Sequence, residues 1–352
     1  MPECRGVVRF AVTATVCILA GACSGVPAPP PAETGALVER ARLSMGSEVR
    51  LTAWTGNEPN ALAAFEHVFD DFDYLDRLLS VWHPESAVSR VNAAAGRAPV
   101  VVSGEVIEVL QTARQVSEWT TGKFDVTFGA LSGLWKFDHD QDNKVPRPRD
   151  VSALLPLVDY RAVDVDAQAG TVLLRRGGMR IHLGGVGKGF AVDRAAAMFR
   201  AHGLRDFMIQ AGGDLYASGR RGDRPWRAGI RDPRGPADRV FAALELNDET
   251  FSTSGDYERF FVKDGRRYHH ILDPDSGQPA MGSRSVTIVA SRAMLADALA
   301  TGVFIMGPDA GMSLIERLPD VEGVIVGETN EVLVSSGLRG RLQTLASPTD
   351  AP

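Results

Sequence analysis

Cysteine is almost absent from this chain. Only three of its 352 residues are cysteine, Cys4, Cys17 and Cys23, and all fall within the first 23 positions. Beyond them the chain can form no disulfide and offers no thiolate. A metal site there must use oxygen or imidazole donors, the preference of a hard ion such as Mg²⁺. A surplus of positive charge is lacking too. The formal net charge is −6 and the pI about 5.7, which removes the electrostatic footprint of a nucleic-acid binder. No internal repeat is visible. What remains, 44% hydrophobic and 23% charged, suits a globular protein with a sizeable core, and the length suggests two lobes.

The first residues read as an export signal. Arg5 and Arg9 supply a positive start, and Phe10 to Ala20 is an apolar run too short for an ordinary bilayer span. Leu19-Ala20-Gly21-Ala22-Cys23 fits a lipoprotein signal in which Cys23 becomes the lipidated end. The leucine stands one place further from the cysteine than usual, and Ala20 with Ala22 also satisfies a plain A-x-A cleavage site. The position of Cys23 and the tether after it (residues 23–36, with Pro27, Pro29, Pro30 and Pro31) favour a lipid anchor on the periplasmic side of an inner membrane. The globular part is expected over residues 37–345, followed by a short tail, 346–352.

The centre of that part is Arg180 to Asp193, RIHLGGVGKGFAVD. Ile181 and Leu183 suggest a strand, four glycines surround Lys188, and an alanine-rich helical stretch follows to Gly203. Glycines admit backbone N–H groups close to an anion, and a helix start adds partial positive charge. The physics favours a phosphate or diphosphate, although neither standard fingerprint fits. A P-loop needs a glycine where His182 stands and Ser or Thr where Gly189 stands, and the glycine spacing also fails G-x-G-x-x-G.

Around this centre the pattern mixes strands and helices. Val49, Leu51 and Ala53 alternate as a strand does, and Asn60 to Trp82 carries one apolar stripe at helical spacing. Ser103 opens a second helix that Gly122 ends, and Val163 to Leu174 reads as a strand pair. Asp125 is either a helix cap or a ligand contact, the cap being the simpler reading. Further strands are expected at Phe207–Ala211 and Val240–Leu246. Tyr257–Val262 and Arg267–Leu272 form a hairpin about Asp264-Gly265, so only one of His269 and His270 can face a given site. A helix from Ser291 to Gly307, with Ser291 as cap, puts Asp297 and Thr301 on one face. Asp297 is either a residue of the helix margin or a buried carboxylate held by a partner or a metal. The chain closes with a hairpin, Val321–Val326 and Glu331–Ser335.

Eight short motifs, in order, make the chain resemble the ApbE-type FAD:protein FMN transferases. They are SMGS at Ser44, SVW at Ser80 with SRVN at Ser89, GKFDVT at Gly122, LGGVGKGFAVD at Leu183, AGGDL at Ala211, TSGDYER at Thr253, HHILDP at His269 and ADALAT at Ala296. The resemblance implies an α/β fold, α+β in detail, of mixed and largely antiparallel sheets flanked by helices, with FAD in a cleft between two interleaved lobes. It implies flavin-dinucleotide contacts at Met45, Trp82, Lys123, Phe124, Asp125, the position of His182, Lys188 and Ile271. It also implies Mg²⁺ ligands at Gly185 (backbone carbonyl), Asp297 and Thr301.

The activity that follows is transfer of FMN from FAD to a Thr or Ser hydroxyl of an acceptor protein, releasing AMP. Lys188 would hold the phosphates, and His270, with Asp273 or Asp256 beside it, is the candidate base. One departure stands out: the family commonly has aspartate where this chain has His182, which removes a negative charge beside the metal. The same site could instead let water attack, giving a FAD pyrophosphatase, or bind flavin without turnover.

Overall fold

The computed structural model describes residues 35–351, so Cys23 and the signal before it lie outside the described residues. Phe65, Phe69, Phe72, Leu75 and Leu79 recur every three or four residues and form the buried stripe of α1 (Glu58–Leu79). Asn57 starts that helix by accepting the Asn60 N–H at 3.1 Å. The other helices are α2 (Ala87–Ala93), α3 (Gly104–Trp119), α4 (Pro148–Leu154), α5 (Gly187–Ala201), α6 (Ala293–Met306) and α7 (Pro308–Ile315).

Eight strands form the main sheet, and their spatial order is their chain order: Ala36–Ser44, Ser47–Thr55, Phe207–Ala211, Asp214–Ser218, Glu249–Gly255, Ser283–Ala290, Glu322–Gly327 and Val332–Val334. Every pairing in it is antiparallel, so the expected mixture of directions resolves to one. Strand alternation sends Tyr216, Val286, Ile288 and Ile325 to the helical side. Leu215, Ala217, Val289, Val324 and Val326 face a smaller sheet built on Arg224–Arg231 and Val240–Leu246. Both faces are thus covered, which is why every residue of Ser283–Ala290 is buried. The described residues form one compact unit.

Three local expectations change. Ile181–Leu183 forms no strand. Its backbone pairs with the Asn92 side chain, which accepts from Ile181 N–H at 2.7 Å and donates to Ile181 C=O at 3.0 Å. Ser291 does not cap α6. The Asp193 carboxylate of α5 does so, taking the N–H groups of Ala293 (2.7 Å) and Met294 (3.0 Å). The hairpin strands are shorter than expected, Phe260–Lys263 and Arg266–His269. Their turn holds Asp264 and Gly265 at φ +52° and +75°, the two left-handed residues of a type I′ turn.

Candidate active site

α5 and α6 meet at Gly189, and any side chain there would collide with the Ala293 carbonyl. This close approach brings the start of α5 against the first turns of α6. The Gly189 N–H donates to Asp297 Oδ2 at 2.9 Å, so the carboxylate, and no other anion, takes this free donor of the helix start. Thr301 lies one turn further along α6, its hydroxyl 3.1 Å from Ser254 Oγ, and Gly185 packs against it.

Lys188 emerges between two carboxylates. Its Nζ stands 3.2 Å from Asp214 Oδ2, and Asp297 lies close enough to act on it electrostatically. Burial alone lowers the Lys188 pKa, yet the pull of Asp297 and Asp214 outweighs it and the net shift is upward. Asp297 moves the other way from an ordinary carboxylate. Burial first, and the neighbouring Asp214 second, raise its pKa, against the smaller help of Lys188 and Gly189 N–H. One partly buried cation therefore faces two buried carboxylates.

These groups open into a cavity of about 550 Å³, within the range of small-molecule sites. Of the site residues expected from sequence and described here, all but Met45, Asp256 and Asp273 line it. Trp82 stands at the wall half-exposed, its ring edge-on to His139. Phe124 and Ile271 provide apolar surface, and both are buried. Met45 sits beside Gly187 at the start of α5, in a two-residue turn where it and Gly46 have φ of +48° and +72°.

Asp125 lines the cavity and its carboxylate caps backbone, the simpler of its two readings, accepting from Thr127 N–H (2.7 Å) and Tyr160 N–H (2.8 Å). Other expected roles need correction. Asp273 is not brought to His270. Its Oδ1 takes Lys123 Nζ at 2.9 Å and the Asp275 N–H at 3.1 Å, within a turn. Asp256 is equally committed, to Arg234. His270 faces the cavity and His269 faces away, to the Ala280 carbonyl at 2.9 Å, as alternation requires.

His270 is not the near-neutral titrator of the sequence argument. Burial, then Arg259, lower its pKa to about 3, and its Nδ1 has no hydrogen-bond partner among the described residues. His182 is lowered to about 4, chiefly by burial, and its Nδ1 accepts the Gly184 N–H at 3.1 Å. Both imidazoles are neutral at pH 7. Asp214 and Arg259 were missed as site residues. Asp214 was visible in AGGDL, but nothing local says that it reaches Lys188 across the fold.

The donor set fits a hard cation. Among the described residues no cluster of three or more Asp, Glu, His or Cys side chains makes a metal cage. Asp297, the Thr301 hydroxyl and the backbone at Gly185 are instead the sparse oxygen donors that suit Mg²⁺ when a substrate phosphate and water complete its shell.

The ApbE family model matches residues 45–325. The chain belongs to the ApbE family. A FAD:protein FMN transferase of Treponema pallidum is 34% identical over 322 residues, covering 87% of this chain and 89% of that relative. One from Klebsiella pneumoniae is 32% identical, covering 86% and 93%. Among solved structures, the ApbE protein of Thermotoga maritima superposes with a TM-score of 0.81 at 32% identity, covering 87% of this chain and 99% of that one. The apo flavinyl transferase ApbE of Pseudomonas stutzeri gives 0.77 at 28%, covering 87% and 97%. The ApbE fold, all antiparallel here, thus frames the pocket just described.

Proposed function

We propose that this ApbE-family protein transfers FMN from FAD to a serine or threonine hydroxyl of an acceptor protein, releasing AMP, with Mg²⁺ held at Asp297, Thr301 and Gly185. The observation that carries this is the trio of partly buried Lys188 with buried Asp214 and Asp297. Burial and Asp214 raise the Asp297 pKa to about 7, so one ammonium does not fully compensate two carboxylates, and a second cation would hold Asp297 ionised. Bound there, Mg²⁺ supplies charge neutralisation on the diphosphate.

The chain's own residues do the rest. Lys188 is protonated at every pH of interest and carries positive charge to the phosphates. Phe124, Ile271 and Trp82 offer apolar and aromatic surface to the flavin. The hydroxyl oxygen bonds to the phosphorus that carries the flavin, and the bond from that phosphorus to the bridging oxygen breaks, leaving with AMP. The hydroxyl proton goes to His270, which is neutral and ready to accept. Burial keeps its basicity low, and phosphate charge brought alongside raises it.

The test uses an acceptor that the Treponema or Klebsiella relative labels, incubated with this protein, FAD and Mg²⁺. A flavin-fluorescent acceptor band on a denaturing gel is expected, and EDTA should abolish it. His270→Ala should label about a hundredfold more slowly while still binding FAD. An unlabelled acceptor with wild-type protein sinks the proposal, and an unimpaired alanine variant removes His270 from it. The export signal supports a location on the periplasmic side of the inner membrane through Cys23. Metabolic labelling with a radioactive fatty acid should mark the wild type and not Cys23→Ala; equal marking of both would exclude that anchor.

A further inference from the structure

Behind the pocket wall lies a polar network that the transfer reaction does not use. The segment Gly255–Arg259 leaves the main sheet and forms part of that wall, with Gly255, Glu258 and Arg259 lining the cavity. Asp256, between them, points away from the cavity into the protein. Its two oxygens take Arg234 Nη1 and Nη2, each at 2.7 Å, and both side chains are more than nine-tenths buried. A forked guanidinium on a carboxylate fixes orientation as well as distance.

Arg234 is itself held from the chain's last residues. Its N–H donates to Asp232 Oδ1 at 3.1 Å, and Asp232 is fully buried. The same carboxylate receives the Thr349 N–H (3.1 and 3.0 Å) and the Thr349 hydroxyl (2.6 Å). Arg284 closes the loop: its Nη1 donates to Thr349 C=O at 3.3 Å, and its own carbonyl takes the Asp256 N–H at 3.1 Å. Upstream, Leu345 and Ala346 donate to Phe241 C=O, and Asn330 Nδ2 donates to Pro348 C=O. Residues 345–349 are therefore tied to the body of the protein by hydrogen bonds.

We propose that Arg234 is a positioning residue for the dinucleotide pocket, and that the C-terminal segment 345–349 is the strap that keeps it in place. The geometry links strap to site in three steps: Thr349 to Asp232, Asp232 to Arg234, Arg234 to Asp256. From there the wall continues to the reacting region. Arg259 pairs with Asp138 across the cavity lining at 2.5 Å, and its carbonyl takes the His270 N–H at 3.1 Å. A loosened Asp256 thus shifts both a pocket wall and the backbone that carries the proposed base. Displacements of about 1 Å at such a wall are enough to slow a reaction substantially.

The test compares Arg234→Lys, which keeps the charge and loses the fork, with Thr349→Val and Thr349→Ser in the full chain. Hydrogen exchange of the amides of Asp256–Arg259 and His270 is the first readout, and it needs no ligand. Faster exchange is expected in Arg234→Lys and Thr349→Val, and wild-type exchange in Thr349→Ser. The kinetic readout rests on the proposed transfer activity. There KM for FAD should rise about tenfold in the first two variants, with kcat changing less and Thr349→Ser staying near wild type.

Unchanged exchange in Thr349→Val overturns the strap, as does a Thr349→Ser defect equal to that of valine. A rate loss that merely follows the folded fraction in melting curves overturns it too. If Arg234→Lys does not fold, the two Thr349 variants decide alone. A wild type that neither binds FAD nor labels an acceptor counts against the proposed function, while the exchange result still judges the strap.

Discussion

Asp297→Asn is expected to lose about a thousandfold or more in transfer rate while melting at or above the wild-type temperature. The amide keeps an oxygen for the Gly189 N–H and nearly the same shape, so the α5–α6 contact survives. What disappears is one of two buried like charges. Burial and Asp214 both work against ionised Asp297, so the empty protein gains by its removal. The same change deletes the anionic ligand proposed for Mg²⁺, and loss of such electrostatic stabilisation costs about 10²–10³ in rate even for a single neutral donor. Thermal melting and transfer kinetics at saturating FAD and Mg²⁺ check both halves. An asparagine variant that keeps a tenth of the activity, or that is strongly destabilised, contradicts the assignment.

Lys188→Met should fail differently, in stability as well as in activity. It leaves Asp214, almost wholly buried, and Asp297 with no cation between them. Removing one partner of a buried pair costs about 3–5 kcal/mol, because the other charge stays buried and uncompensated. Adding Asp214→Asn should restore most of that stability, since the surviving charge is then Asp297 alone, with its Gly189 N–H. Activity should not return, because the phosphates have lost their cation. Denaturant titration of the two single variants and the double variant gives the coupling directly. Additive losses mean that Lys188 and Asp214 do not form the pair described here.

The contrast between the two variants shows what was legible in the sequence. Lys188 stood out because a lone cation inside four glycines has few structural uses. Asp297 and Thr301 stood out because four-residue spacing on an apolar helix is a local property. The stripe of α1 and the turn at Asp264-Gly265 were legible for the same reason, spacing in one case and backbone conformation in the other. Two of the misreadings involve partners distant in the chain. Leu183 and Ile181 resemble a strand, but Asn92, 89 residues before Ile181, supplies the hydrogen bonds that a neighbouring strand would give. Ser291 resembles a cap, yet Asp193, 100 residues before Ala293, takes those N–H groups.

Charge pairing was the least legible property of the site. Asp273 and Asp256 looked available to His270, and the fold spends them on Lys123 and Arg234. His270 looked like a near-neutral base because its spacing from Arg259 and its burial are tertiary facts. The resemblance to ApbE-type transferases named residues most of which line one cavity, without revealing that Asp214 holds Lys188. That pairing sets one ammonium against Asp214 and Asp297.

The most direct test of the central claim measures two products in one reaction. Purified protein, FAD, Mg²⁺ and a competent acceptor are mixed, and released AMP is counted against flavin bound covalently to the acceptor. One AMP per labelled hydroxyl, with both products lost in Asp297→Asn, is the predicted result. AMP appearing with free FMN while the acceptor stays unlabelled would contradict it.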